Sequence, residues 1–272
     1  MRAALAISLL LLCGAGSAQR VRFSSAGESE VVDKAIHPPA TDRERAEQLK
    51  AWFQEVGCAG DALRSEPVAG AESPNIICEL KGKSPDAILI GAHYDRPSSS
   101  ARPFDDWSGA ALLPSLYHCL GDQMRRSTII FAAFADNGNQ ANGAEQIAGR
   151  LKQVSAMVNL DALGLSPSKI WTSRSDKDLV KKFMTMVYAL KIPASQVDID
   201  LAGSTDAQPF AARGIAQITI HSLTRQNLIS REENKLNARN YYDSYRLLCG
   251  YTAYLDESTK DTKDTKDARS SR

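Results

Sequence analysis

Five short runs of the chain are apolar nearly throughout. They are Asn75–Leu80 (NIICEL), Ala87–Gly91 (AILIG), Thr128–Ala135 (TIIFAAFA), Ala156–Leu160 (AMVNL) and Ile215–Ile220 (IAQITI). Unbroken apolarity over so few residues predicts strands buried on both faces, as in a parallel sheet. The segments between them carry helical spacing instead. Leu49, Trp52, Phe53 and Val56 share one face of a helix that starts near Thr41-Asp42, with Gly57 as its C-cap. Ser108–Leu120, Ala144–Lys152, Asp176–Leu190 and Asn237–Leu255 read as further helices. Strands alternating with helices predict an α/β fold: a mostly parallel central sheet with helices on both faces. No composition break interrupts residues 35–256, which are expected to form one domain.

The ends behave differently. Met1-Arg2, the apolar run Ala3–Cys13 and the small residues Gly14–Ala18 have the form of an export signal, so residues 1–18 read as a signal peptide. The run is shorter than the roughly 20 residues needed to span a bilayer. Residues 19–34 are polar and are expected to be loosely held. Residues 257–272, with their KDT repeats, read as a disordered charged tail.

Composition narrows the function. The chain has 272 residues, 43% of them hydrophobic, with 33 Lys+Arg against 32 Asp+Glu. A net charge of +1 offers no field for nucleic acid, and no membrane attachment is expected after signal cleavage. Secretion, or export to a periplasm, supplies an oxidising compartment. Cys58, Cys78, Cys119 and Cys249 then allow two disulfides in three connectivities. Cys58–Cys78 is the preferred pair by proximity, and Cys119 reads as a buried thiol in a helix.

The chemistry gathers at the carboxyl ends of the predicted strands, where open α/β sheets place their sites. AILIGA runs into His93-Tyr94-Asp95, MVNL into Asp161 and IAQITI into His221. Asp105-Asp106-Trp107-Ser108-Gly109 opens a helix. Imidazoles and carboxylates at several loop ends are what zinc requires, and the H-x-D spacing lets Asp95 orient the His93 ring. Singly, each is ordinary: a loop histidine, a first-turn aspartate pair. Their order and placement together are specific.

GAHYD at 91–95, DDWSGAALL at 105–113, FAAFA at 131–135, VNLDALG at 158–164 and the ending around His221 resemble the M28 zinc aminopeptidases and the related secreted glutaminyl cyclases. The resemblance runs from about residue 40 to 256 and implies their three-layer sandwich. It implies that His93, Asp105 and Asp161 bind one zinc, with Asp105 bridging to a second that His221 would ligate. Asp95 would orient His93, and Thr205-Asp206 with Pro209-Phe210 resembles the acidic loop near the substrate. The substrate would be a peptide or a small-molecule amine.

The sequence departs from the family after FAAFA. The family carries two glutamates there, a general base and a ligand of the second zinc; Asn137 and Gly138 occupy those positions here. Asn accepts no proton and Gly has no ligand, so one zinc site keeps its protein ligands and the second is in doubt. Loss of a positioned base typically slows such reactions by about 10²–10⁴. Asp136, one residue earlier, is the substitute base in view. Trp107 replaces a small residue and is expected to narrow or fill the substrate pocket. The expectation is a secreted M28-like metallopeptidase domain with weak or no ordinary aminopeptidase activity. An active hydrolase using one zinc or Asp136, a cyclase-like acyl transfer, and a non-catalytic binding protein stay open as alternatives.

Overall fold

Asn75–Leu80 (β4), Ser84–His93 (β5), Ser127–Phe134 (β6), Val154–Leu160 (β7) and Gln217–His221 (β10) form the strands where the apolar runs place them. In the computed structural model they lie in an eight-stranded sheet of order β3-β4-β6-β5-β7-β10-β8-β9. Leu63–Glu66 (β3), Ser168–Ile170 (β8) and Ala194–Gln196 (β9) are its short outer members. The central four strands are parallel; β3–β4, β4–β6 and β8–β10 pair antiparallel. The structure describes residues 5–12, 18–96, 107–135, 141–198, 205–224 and 235–270.

Alternate strand residues serve two helical layers. Ile88, Ile90, Phe131, Val158 and Ile220 face one core. Covering it are Glu28–Ile36 (α1), Asp42–Glu55 (α2), Ser108–Gly121 (α3), Lys177–Leu190 (α5) and Ala238–Ser270 (α7). Leu89, Ile130, Phe134 and Met157 face the other, against Asn142–Arg150 (α4) and Gln208–Ala211 (α6). Helix α2 begins where its capping chemistry dictates: Thr41 accepts from the Glu44 backbone and Glu44 returns a bond to the Thr41 N–H.

Three expectations change: those for residues 19–34, for the charged tail and for Cys119. Residues 19–34 are not loosely held, because Val21, Phe23, Val31 and Val32 are buried in the main core. The strand alternation of Val21 and Phe23 and the helical stripe of α1 are both short enough to be hidden among polar residues. The apolar run expected as a signal forms Leu5–Leu12 (β1), paired antiparallel with Ala18–Ser25 (β2), and Leu5 is 70% exposed. The expected charged tail continues α7 as helix to Ser270, since extending a formed helix needs no new nucleus. Cys119 is not a free thiol: it bonds Cys249, while Cys58 bonds Cys78 as preferred. Among the described residues no helix is long and apolar enough to cross a membrane.

Candidate metal centre

His93 ends β5, and Gly91 pairs with Asn159 of the adjacent parallel β7. Two residues beyond that pair stand His93, the last residue of β5, and Asp161, the residue that follows β7. Adjacent strands lie about 4.8 Å apart, so the register makes these two neighbours at one sheet edge. The Asp161 N–H donates to the Ile220 carbonyl (3.0 Å), which fixes the loop after β7 against β10.

His93 has a carboxylate beside its ring. Its Nδ1 lies 3.2 Å from Asp95 Oδ1, and Asp95 is 5% exposed. The carboxylate favours the tautomer with the proton on Nδ1, leaving Nε2 as the lone-pair nitrogen. That is the arrangement of a ligating histidine with its carboxylate partner.

Asp105 and Asp106 lie outside the described residues; helix α3, which follows them, is described from Ser108. Helix α3 starts on the strand ends of β5 and β7. A Cβ on Gly109 would come 2.7 Å from the Leu160 carbonyl oxygen and 3.0 Å from Ala92 Cβ. Ser108 Oγ accepts from the Leu163 N–H at 2.8 Å. The start of α3 therefore sits against the strand ends that lead to His93 and Asp161.

Trp107 does not reach the substrate side. Its indole is fully buried in the main core, its N–H donates to the Lys34 carbonyl (3.0 Å), and its ring lies 5.6 Å from that of Trp52. The ring packs under α1 and α2 instead of narrowing a pocket.

His221 ends β10 and is 1% exposed. Its Nδ1 accepts the Leu223 N–H at 3.2 Å, and its ring packs edge-on to Trp171, 6.3 Å between centroids. An accepting Nδ1 places the proton on Nε2, and this atom is buried without a hydrogen-bond partner among the described residues. Burial pushes the imidazole down to about 4, and Lys169 acts in the same direction, against Val197 and Asp198. The ring is thus neutral, as a ligand must be. Its proton nevertheless sits on the nitrogen that would have to bind, so as placed His221 does not fit a zinc ligand. Imidazole and carboxylate are donors that suit zinc, and by register His93 stands level with Asp161. Among the described residues no three His, Cys, Asp or Glu side chains close on one ion.

Asp136, Asn137 and Gly138 also lie outside the described residues. Both ends of their segment are held by Asn75, which is fully buried on β4. Its Oδ1 accepts from the Ala135 N–H (2.9 Å) and its Nδ2 donates to the Gly143 carbonyl (3.0 Å). Thr205 and Asp206 are buried, and Phe210 lies 6.4 Å from Phe134 at the end of β6. Sequence reasoning passed over Asn75 and Arg45. Arg45 carried a signal: it occupies the apolar stripe of α2, four residues before Leu49 and eight before Phe53.

Comparison with known proteins agrees with this geometry. A probable zinc metalloprotease of Pyrenophora tritici-repentis is 30% identical over 148 residues, covering 49% of this chain and 34% of the relative. A vacuolar membrane protease of Candida dubliniensis is 31% identical over 122 residues, 43% of this chain and 13% of the relative. The chain thus spans about a third or less of the length of these two relatives. Among solved structures, the LapA aminopeptidase of Legionella pneumophila superposes with a TM-score of 0.71 at 16% identity, over 85% of this chain and 72% of that one. The Macrostomum lignano glutaminyl cyclase superposes with a TM-score of 0.66 at 14% identity, over 85% and 89%. These identities establish the shared fold alone. The sequence profile of Peptidase family M28 matches residues 75–247, well over half the chain, and spans β4, the His93–Asp95 strand end, α3, Asp161 and His221; the chain belongs to peptidase family M28.

Proposed function

We propose that this chain is an exported M28 metallopeptidase domain with a single zinc centre, held by His93, Asp105 and Asp161, and with weak or no ordinary aminopeptidase activity. The observation that carries the reading is the His93 Nδ1–Asp95 Oδ1 contact of 3.2 Å at the end of β5, level with Asp161. Bound there, zinc would supply Lewis-acid polarisation of a carbonyl and a more acidic water. The ligands it would act on or hold are peptides or small amines.

The limit on activity comes from this chain's own residues. Asn137 stands where the family has its proton acceptor, and Gly138 where it has a ligand. His221 offers no compensation as placed, because its Nδ1 is engaged by Leu223. Export is supported by two disulfides, which persist in oxidising compartments. The retained His93, Asp95 and Asp161 favour one second reading, an active hydrolase in which Asp136 serves as base.

Elemental mass spectrometry of the purified chain, after dialysis against buffered zinc, tests the centre. About one zinc per chain is the expected result. About two would overturn the single-zinc assignment, and none would overturn the metal reading altogether. Aminoacyl-anilide hydrolysis, in wild type and in Asp136→Ala, then separates the two readings. The first expects little hydrolysis and no effect of the substitution. The second requires robust hydrolysis that the substitution abolishes.

A further inference from the structure

Arg45 is 1% exposed, at the N-terminal end of the buried face of α2. A guanidinium loses its hydration there and has to replace it. Its Nη1 donates to the Tyr94 carbonyl (2.8 Å) and the Asp95 carbonyl (3.4 Å), and its Nε donates to the Pro39 carbonyl (3.2 Å). Its Cζ lies over the Trp107 ring, 5.5 Å from the centroid.

Two segments that carry metal ligands therefore meet at one side chain. The first is Tyr94-Asp95, immediately after His93. The second is Trp107, two residues after Asp105. The rest of the first segment is pinned as well. The Tyr94 N–H donates to the Phe134 carbonyl (3.1 Å), and the Tyr94 hydroxyl donates to the Pro74 carbonyl (2.6 Å). Asp42, on the first turn of α2, accepts the Arg96 N–H at 2.9 Å. Arg45 is the only one of these that touches both segments. The indole at position 107, where the family has a small residue, finds its use here as the surface on which the guanidinium lies.

We propose that Arg45 is a positioning residue for the metal-binding imidazole: it holds the backbone on which Asp95 meets His93 Nδ1 and, through Trp107, seats the start of α3 beside it. The inference rests on the single-zinc reading for its functional consequence, but not for its geometry. A purely structural arginine would alter stability and leave His93 unchanged. A positioning arginine also governs which nitrogen of His93 carries the proton, since that depends on Asp95 staying within bonding distance.

The test uses the full chain with ¹⁵N-labelled histidine. The variants are Arg45→Met, Arg45→Lys and, as control, Leu49→Ala. Leu49 is fully buried in the same helical stripe and takes no part in holding Tyr94 or Asp95. Imidazole ¹⁵N shifts of His93 are read without metal, and zinc affinity is read by competition with a chelator. Wild type is expected to show one Nδ1–H tautomer. Arg45→Met is expected to mix the tautomers and weaken zinc about tenfold or more, the usual effect of losing a partner behind a ligand. Arg45→Lys retains charge without the fork and should weaken zinc by a smaller factor. Leu49→Ala should lower stability while keeping wild-type tautomer and affinity. The proposal falls if Arg45→Met keeps both wild-type properties, or if Leu49→Ala disturbs them equally. If Arg45→Met does not fold, wild-type behaviour of Arg45→Lys overturns it. If wild type binds no zinc, the zinc reading fails and the metal-free tautomers still decide the role of Arg45.

Discussion

His93 and His221 end two parallel strands of one sheet, and only His93 has a carboxylate two residues on. One hydrogen bond at Nδ1 separates their ring chemistry. Nδ1 of His93 meets a carboxylate two residues on, so it holds a proton. Nδ1 of His221 meets a backbone N–H two residues on, so it must not. The first arrangement frees a lone pair on Nε2, and the second removes it. His221 also has a consequence for stability. The unfolded chain takes up a proton near the ordinary histidine value of 6.5, the folded one only near 4. The metal-free protein is therefore expected to hold its full stability above about pH 6.5 and to lose about 3 kcal/mol as pH falls to about 4. Urea unfolding across this range measures the loss, and His221→Gln should flatten that part of the profile. A wild-type slope in the variant would assign the pH dependence elsewhere.

Elements depend on contacts of a few ångströms between backbones. Helix α3 can begin at the sheet edge only because position 109 lacks a side chain. Gly109→Ala would drive a methyl to 2.7 Å from the Leu160 carbonyl, and neither partner is a flexible chain end. The expected result is a loss of about 1–3 kcal/mol in unfolding free energy, together with weaker zinc binding, because the residues preceding α3 move with it. Chemical denaturation and chelator competition on one sample check both. Unchanged stability would mean that α3 relaxes without disturbing the strand ends. Helix α2 illustrates the opposite case: its start is written locally in Thr41 and Glu44, whereas the task of Arg45 is set by carbonyls about 50 residues away.

For the whole molecule, the disulfides bind the layers unequally. Cys58–Cys78 closes a separation of 20 residues and Cys119–Cys249, from α3 to α7, one of 130. Loop-closure entropy gives about 3 kcal/mol for the first and about 5 kcal/mol for the second. Double Cys→Ala variants of each pair should follow that order in their urea midpoints. An equal loss would show that residual structure already confines the longer loop. This pairing was only partly legible. Nearness suggested Cys58–Cys78, but nothing in the spacing of Cys119 and Cys249 brings α3 beside α7. The core strands and the His93–Asp95 pair were legible because burial on both faces and an i,i+2 contact leave local signatures. The N-terminal 19–34 segment was not: Val21 and Phe23 count as core only after α7 covers them.

The sequence by itself determined the α/β class, the positions of the buried strands and the pairing of His93 with the carboxylate two residues on. Each follows from residue identity at short range. Tertiary structure alone decided that Trp107 turns into the core, that Arg45 joins the Tyr94-Asp95 segment to Trp107, and that His221 Nδ1 meets the Leu223 N–H. The reason is common to all three. Which donor meets which acceptor across the sheet edge depends on where distant backbone groups arrive, and no periodicity in the chain records that.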